Sequence, residues 1–408
     1  MWELIRANKR KSYVLFILMG VILILLGYAI GSIFLGESGG PFGVFIALII
    51  WSVMSVISYF TGHKILLSIS NAKEVTKEVH PQLFNVVDEI TIAANLPKMP
   101  KVYIVNSEAP NAFATGRNPE NSAVAVTAGL LAQMNRDELQ GIIAHEISHI
   151  INRDVMYMTF AGIMLGSIVI ISEIFLRGFW YNGSSLNRYR GSSSNNNGGQ
   201  IVIMIFSMLL AILAPILAQL LYFAISRKRE YLADANGAKL TRYPEGLASA
   251  LEKLSQNRHT LRTANKATAG MYIVNPLKKK GMQIANLTST HPPISERIGI
   301  LRGMMHGAAF ADYQTSYNKI KNNNEKIIPP SGLENKIDIP ILSQIEKLTS
   351  LDKKEEQRKL GDIVMAVNDY SFLDCSCGLK LKAPADFKGK EVSCPKCGNR
   401  LKFSMSKT

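Results

Sequence analysis

At 408 residues the chain is long enough for more than one domain, and its 47% hydrophobic content is gathered into a few long runs. The formal net charge of +15 is compatible with nucleic acid, anionic lipid or acidic partners, but the basic flanks of membrane spans supply such charge by themselves. Only four cysteines occur, all between Cys375 and Cys397, which excludes a disulfide framework spread through a secreted fold and points to a metal site in a reducing compartment.

Val14 to Leu35 is a charge-free apolar run of 22 residues. At about 1.5 Å per residue it covers about 33 Å, enough to cross a hydrocarbon core of about 30 Å. A cleaved signal peptide has a shorter apolar region and a small-residue cleavage site. Here GESGGP leads directly into a second run, Phe42 to Phe60, so the two read as a membrane hairpin. Arg6, Lys9, Arg10 and Lys11 precede the first span and the intervening loop carries no Lys or Arg. The positive-inside rule therefore predicts a cytoplasmic N-terminus, with the chain returning to the cytoplasm at His63-Lys64.

From about Ser68 to Asp154 the composition is that of a soluble domain. Leu83, Val86, Val87 and Ile90 predict a core-facing helix over Pro81 to Ala94. Lys101 to Val105, Asn111 to Gly116 and Ser122 to Thr127 predict strands, the last two joined by a turn at GRNPEN. Asn135 and the acidic Asp137-Glu138 predict a helix start that runs into GIIAHEISHIINRD, Gly141 to Asp154. That stretch holds His145, Glu146 and His149 as H-E-x-x-H. On a helix, residues four apart share one face, so both imidazoles can hold one metal ion while Glu146 stands beside them as a proton acceptor.

Two further apolar runs follow, Val155 to Leu176 and Ile201 to Ser226, separated by a polar loop with the tract GSSSNNNGG. Their length and near absence of charge predict a second membrane hairpin, kinked at Pro215. Arg227-Lys228-Arg229 after it keeps both ends on the cytoplasmic side, although Arg177, Arg188 and Arg190 in the loop weaken the asymmetry. A hairpin brings its ends together, so Glu230 and Asp234 are expected near His145 and His149. Two His, one Glu and water form a recognised catalytic zinc set, which favours Glu230 as third ligand. Asp234, one turn later, is expected to accept the free ring N–H of a ligand histidine. Spacing alone separates these two acids only weakly.

Leu247, Leu251 and Leu254 mark a further helix, and THPPISERIGIL opens another behind two prolines. By itself His291 reads as a loop histidine. Residues 321–370 are rich in Lys, Glu and Asn, a helical or flexible linker. The last segment carries Cys375-Ser-Cys377 and Cys394-Pro-Lys-Cys397, each pair followed by Gly. Glycine permits the left-handed turn that lets both thiolates of a knuckle reach one ion. With Leu379, Leu381, Leu401 and Phe403 as strand residues, this is a zinc-ribbon pattern whose closed four-thiolate site is structural. Lys380, Lys382, Lys388, Lys390 and Lys396 make it basic. Aromatic stacking groups are scarce, however, so substrate or protein-partner recognition is the more economical role than nucleic-acid binding.

NAFATGR (Asn111 to Arg117), HEISHIINRD (His145 to Asp154), REYLAD (Arg229 to Asp234) and THPPISERI (Thr290 to Ile298), with four spans in the same order, resemble the HtpX-like membrane metalloproteases, relatives of the CAAX prenyl protease family. The resemblance covers about residues 1–305. It implies that His145, His149 and Glu230 bind zinc and that Glu146 is the catalytic base. It also implies that Asn111, Phe113 and their neighbours Ala112 and Ala114 hold an extended substrate by main-chain pairing, and it raises His291 to an active-site helper. The ribbon departs from the usual pattern.

The expected architecture is mainly α: a polytopic membrane protein with four transmembrane helices, a cytoplasmic gluzincin-like α+β peptidase domain and a C-terminal zinc ribbon. The domains are a hairpin at 1–65, a peptidase domain at 66–320 interrupted by the membrane hairpin 155–226, the linker 321–370 and the ribbon 371–405. The expected function is a zinc endopeptidase of the cytoplasmic membrane, with one catalytic and one structural zinc ion. It would cleave cytoplasmic segments of membrane proteins, and the resemblance implies a role in their quality control. The rivals are a CAAX-type prenyl-protein protease and a membrane-anchored zinc scaffold that recruits partners through its ribbon.

Overall fold

The computed structural model describes residues 2–35, 39–181, 197–224, 227–257, 270–274, 291–304, 307–333, 339–342, 353–384, 386–387 and 391–402. Residues 182–196, which hold most of the Ser/Asn/Gly tract, lie outside them, as do Thr290, Lys388, Lys390 and Phe403.

Among the described residues, four helices are long and apolar enough to cross a membrane. Helices α1 (Trp2–Leu35) and α2 (Gly39–Ile69) form the first hairpin, and α6 (Asp154–Tyr181) and α7 (Asn197–Ala224) the second. The last residues of the Ser/Asn/Gly tract are thus the first turn of α7, and Pro215 lies inside that helix. Large apolar side chains on these helices face outward, among them Phe45, Val53 and Val56 on α2 and Val202, Phe206 and Leu209 on α7. Apolar surface on that scale is what a lipid-facing helix presents. Gly27 and Gly31 on α1 meet Gly39 and Gly43 on α2 so closely that a Cβ on Gly43 would lie 2.1 Å from the Gly27 carbonyl oxygen. Small residues four apart let two helix backbones touch, a contact favoured where van der Waals packing replaces the hydrophobic effect.

The strands form a small sheet of order β1-β2-β4-β3 from β1 (Ala72–Glu74), β2 (Lys101–Val105), β3 (Ala112–Asn118) and β4 (Asn121–Thr127). β2 and β4 run parallel and the other neighbours antiparallel, which leaves β3 at an edge. Side chains alternate between two cores. Val124 and Val126 of β4 and Ala112 and Ala114 of β3 face α3 (Pro81–Ala93), the short α4 (Ala128–Gln133) and α5 (Arg136–Ile151). Ala123, Ala125 and Phe113 face the membrane helices, against Leu66, Met158 and Tyr222. The sheet is therefore the wall that fixes the membrane hairpins to the soluble domain.

α5 begins with the capping box its sequence announces: the Asn135 side chain accepts from the Glu138 N–H, and Glu138 accepts from the Asn135 N–H. It is buried along almost its whole length. Across it lie α8 (Arg227–Thr241) and α9 (Pro244–Gln256), and Gly141 permits the close approach, since a Cβ there would stand 2.7 Å from the Leu247 nitrogen. Short helices α10 (Ile294–Arg302) and α11 (Phe310–Lys321) complete the layer. Within the linker region, Lys353–Val367 forms a helix whose Val367 joins the main core, and Lys73 of β1 donates to the Asn368 side chain at 2.8 Å. That part of the linker is docked on the main core. The segment beyond it is two hairpins, Ser371–Asp374 with Lys380–Ala383 and Glu391–Ser393 with Arg400–Lys402.

Candidate active site

On α5 the rings of His145 and His149 meet edge to face one turn apart, with centroids 4.9 Å apart and nearly perpendicular planes. Their Nε2 atoms converge on Glu230 of α8, at 3.5 Å from Oε2 for His145 and 3.6 Å from Oε1 for His149. The membrane hairpin thus closes a loop of some eighty residues onto a single point. One donor atom from each residue lies within 4.8 Å of the other two. Ligands about 2.1 Å from a tetrahedral ion stand about 3.4 Å apart, so this spacing fits zinc. His145 Nε2 and Glu230 Oε2 are buried and make no hydrogen bond within the protein, an orphaned pair that a cation satisfies.

Each imidazole is oriented from behind by a carboxylate. Asp234 Oδ1 lies 2.9 Å from His145 Nδ1, and Asp154 Oδ2 lies 3.2 Å from His149 Nδ1. With the proton on Nδ1, both Nε2 lone pairs face the site. Asp154 comes into reach because Arg153 adopts a left-handed conformation (φ 62°), which turns the chain between α5 and α6. Asp234 is gripped in turn by Arg297 of α10, whose Nε and Nη2 donate to its two oxygens at 2.8 and 2.7 Å. Arg297 is fully buried and also reaches Glu230 Oε2 at 3.9 Å. Neither Asp154 nor Arg297 was singled out from the sequence, although both lie inside the quoted motifs. The acid five residues beyond the second histidine was the only available signal.

Burial opposes a charge on His145, but the Asp234 and Glu230 carboxylates overcome it and hold its pKa up to about 9. The pocket therefore favours positive charge. Burial pushes the Glu146 carboxyl up, partly offset by His145 and His149. A raised carboxylate is a better proton acceptor near neutral pH. The Ala114 main chain favours its ionised form, although neither oxygen completes a hydrogen bond of normal geometry. His291 is buried with Nε2 3.5 Å from Glu230 Oε2, and burial drives its pKa down to about 4 against the pull of Glu230. It is a neutral imidazole at the site's edge.

The four residues from Asn111 to Ala114 divide into different environments. The Asn111 amide donates to the Val274 carbonyl at 2.9 Å, and the Ala112 carbonyl accepts from the Ile273 N–H at 3.0 Å. Residues 270–274 thus lie along this part of the β3 edge. Phe113 turns to the opposite face, edge-on to Tyr272. Ala114 lines a small, partly open cavity together with Glu146, His149 and Glu230.

At the other end of the chain the four cysteines are not disulfide-bonded. Cys375 and Cys397 have their sulfurs 3.4 Å apart, Cys377 and Cys394 3.6 Å, and all four lie within 4.8 Å of one another. Thiolates about 2.3 Å from a tetrahedral zinc stand about 3.8 Å apart, so the donors fit that ion too. Gly378 (φ 81°) and Gly398 (φ 75°) supply the left-handed turns the knuckles need.

Membrane helices around a buried H-E-x-x-H helix and a converging glutamate define a membrane metallopeptidase. The profile of Peptidase family M48 matches residues 77–305, and the chain belongs to that family. It is 48% identical over 304 residues to "Protease HtpX homolog" of Dictyoglomus thermophilum, which spans 74% of this chain and 94% of that protein. The corresponding Streptococcus gordonii protein is 42% identical over 304 residues, 74% of this chain and all of its own length. A crystal structure of S. mikatae Ste24p aligns with 74% of this chain and 67% of its own at 19% identity and a TM-score of 0.38, which adds nothing to the assignment. The protein is a membrane zinc metalloprotease, and its four apolar helices make it multi-pass. The cysteine segment lies outside the family profile.

Proposed function

We propose that His145, His149 and Glu230 hold the catalytic zinc and that the enzyme is an endopeptidase cutting cytoplasmic segments of membrane proteins. The convergence of the two Nε2 atoms on Glu230 carries the reading. A zinc ion held by these three residues would supply Lewis-acid chemistry, acidifying a water toward neutral pH and polarising the scissile carbonyl. Glu146 accepts the proton of the attacking water and delivers it to the leaving amine. Asp234, backed by Arg297, and Asp154 fix the tautomers of the two histidines, and neutral His291 is placed to donate to the substrate carbonyl oxygen. The outer edge of β3 at Ala114 receives the substrate main chain, because Ala112 beside it is engaged by Ile273.

The basic residues at Arg6 to Lys11 and Arg227 to Arg229 support a cytoplasmic active site, with N- and C-termini on the same side. That position suits quality control of membrane proteins. The thiolate cluster forms a structural zinc ribbon, docked through the helix at 353–367, that recognises substrate or a protein partner. Reconstitution with a membrane protein bearing an unfolded cytoplasmic segment tests the reading. Chelator-sensitive cuts in that segment are expected, and cuts confined to the opposite side would refute the orientation.

Replacing Asp154 by Asn keeps the shape of the side chain but removes its charge. Zinc affinity of the active site is expected to fall about 10- to 100-fold, as for other groups that orient metal-binding histidines. Competition with a chromogenic chelator measures it.

A further inference from the structure

Beside the catalytic residues stands a cation that peptide hydrolysis leaves unemployed. Arg229, immediately before Glu230, is only 5% exposed and lines the same cavity as Ala114, Glu146 and His149. Its guanidinium lies over the Tyr157 ring, 4.6 Å from the centroid, with Nη2 2.9 Å from Met158 Sδ. Its Nε is buried without a hydrogen-bond partner. Arg297, the other deeply buried arginine here, contacts both Asp234 and Glu230. Arg229 forms no ion pair with a carboxylate among the described residues.

A guanidinium buried this far is normally paired, because leaving it unpaired is costly. The aromatic face beneath it stabilises the charge without using its hydrogen-bond donors. Glu230 alongside is turned toward the imidazoles and cannot serve it. The planar fork that remains matches a carboxylate.

We infer that Arg229 is a specificity-determining residue that receives a carboxylate of the bound substrate, next to the scissile bond. The carboxylate is either an acidic side chain or the C-terminus of the cleaved chain. This rests on the cavity being the substrate site, as proposed above.

The test uses full-length, zinc-loaded protein in lipid nanodiscs. In a Glu146→Gln background, binding is measured for peptides with one Asp or its Asn counterpart at each position around the cleavage site, and with a free or amidated C-terminus. At one position, or at the terminus, the acid is expected to bind roughly ten- to a hundredfold tighter than the amide. Whether the preference tracks the side chain or the terminus identifies the source. Adding Arg229→Met should bring that ratio to about one, Arg229→Lys should keep part of it, and Arg229→Glu should favour Lys-bearing peptides instead. A ratio unchanged by Arg229→Met or Arg229→Lys would overturn the inference, as would equal binding of acid and amide at every position. Zinc content of each variant reports an intact site, and Arg229→Lys keeps the test open if the Met variant fails to fold. Absence of chelator-sensitive cleavage by the parent enzyme would overturn the protease reading instead, so the two failures are distinct.

Discussion

Glu146→Gln is expected to keep its zinc and to lose peptide cleavage by a factor on the order of a hundred to ten thousand or more. The substitution preserves the shape of the side chain, and Glu146 is not among the three donors that converge on the metal position. What it removes is a carboxylate beside the site that neither orients an imidazole from behind nor belongs to the three converging donors. Burial has already raised its pKa, so the loss should fall on kcat. Stopped assays with metal analysis of the same sample check it. Full activity in a metal-depleted sample is incompatible with the scheme.

Arg297→Met should be the most damaging change outside the metal donors. It leaves Asp234 buried opposite His145 without its bidentate partner. Breaking a buried pair from one side costs about 3–5 kcal/mol, a large part of a typical folding stability of about 5–15 kcal/mol. Arg297→Lys should restore only part of this, since an ammonium cannot reproduce two parallel N–H donations. Removing both charges, with Arg297→Met and Asp234→Asn together, should cost less than the sum of the two single changes. Thermal inactivation in detergent gives the comparison, and strict additivity would contradict a coupled pair.

Arg297 also shows where sequence reasoning stopped. Features set by neighbours along the chain were legible. The H-E-x-x-H spacing puts two imidazoles on one face, Asn135 and Glu138 write a capping box, and the β-branched and aromatic Lys101 to Val105 and the small and β-branched Ser122 to Thr127 become β2 and β4. The apolar runs were readable from length alone, and they led to Glu230 through the closure of a hairpin. Features created by tertiary pairing were not legible. β1 is the sequence Ala-Lys-Glu, with no strand preference of its own, and is extended because it pairs with Tyr103 to Val105. Asp154 reaches His149 only through the left-handed turn at Arg153. Arg297 stands 63 residues from Asp234, and nothing local ties the two. The engagement of Ala112 by Ile273 belongs to the same class, and it narrows the open β3 edge to the part beside the catalytic residues.

Because Glu230 reaches the histidines only across the second hairpin, membrane insertion and assembly of the metal site are expected to be one event. The direct measurement is zinc per chain in protein whose four cysteines are replaced by serine, so that ribbon zinc does not count. About one zinc ion per chain is predicted for this background and almost none after Glu230→Ala, whereas Asp234→Asn should lower affinity and still bind. Retention of zinc by Glu230→Ala, with loss in the Asp234 variant, would contradict the account.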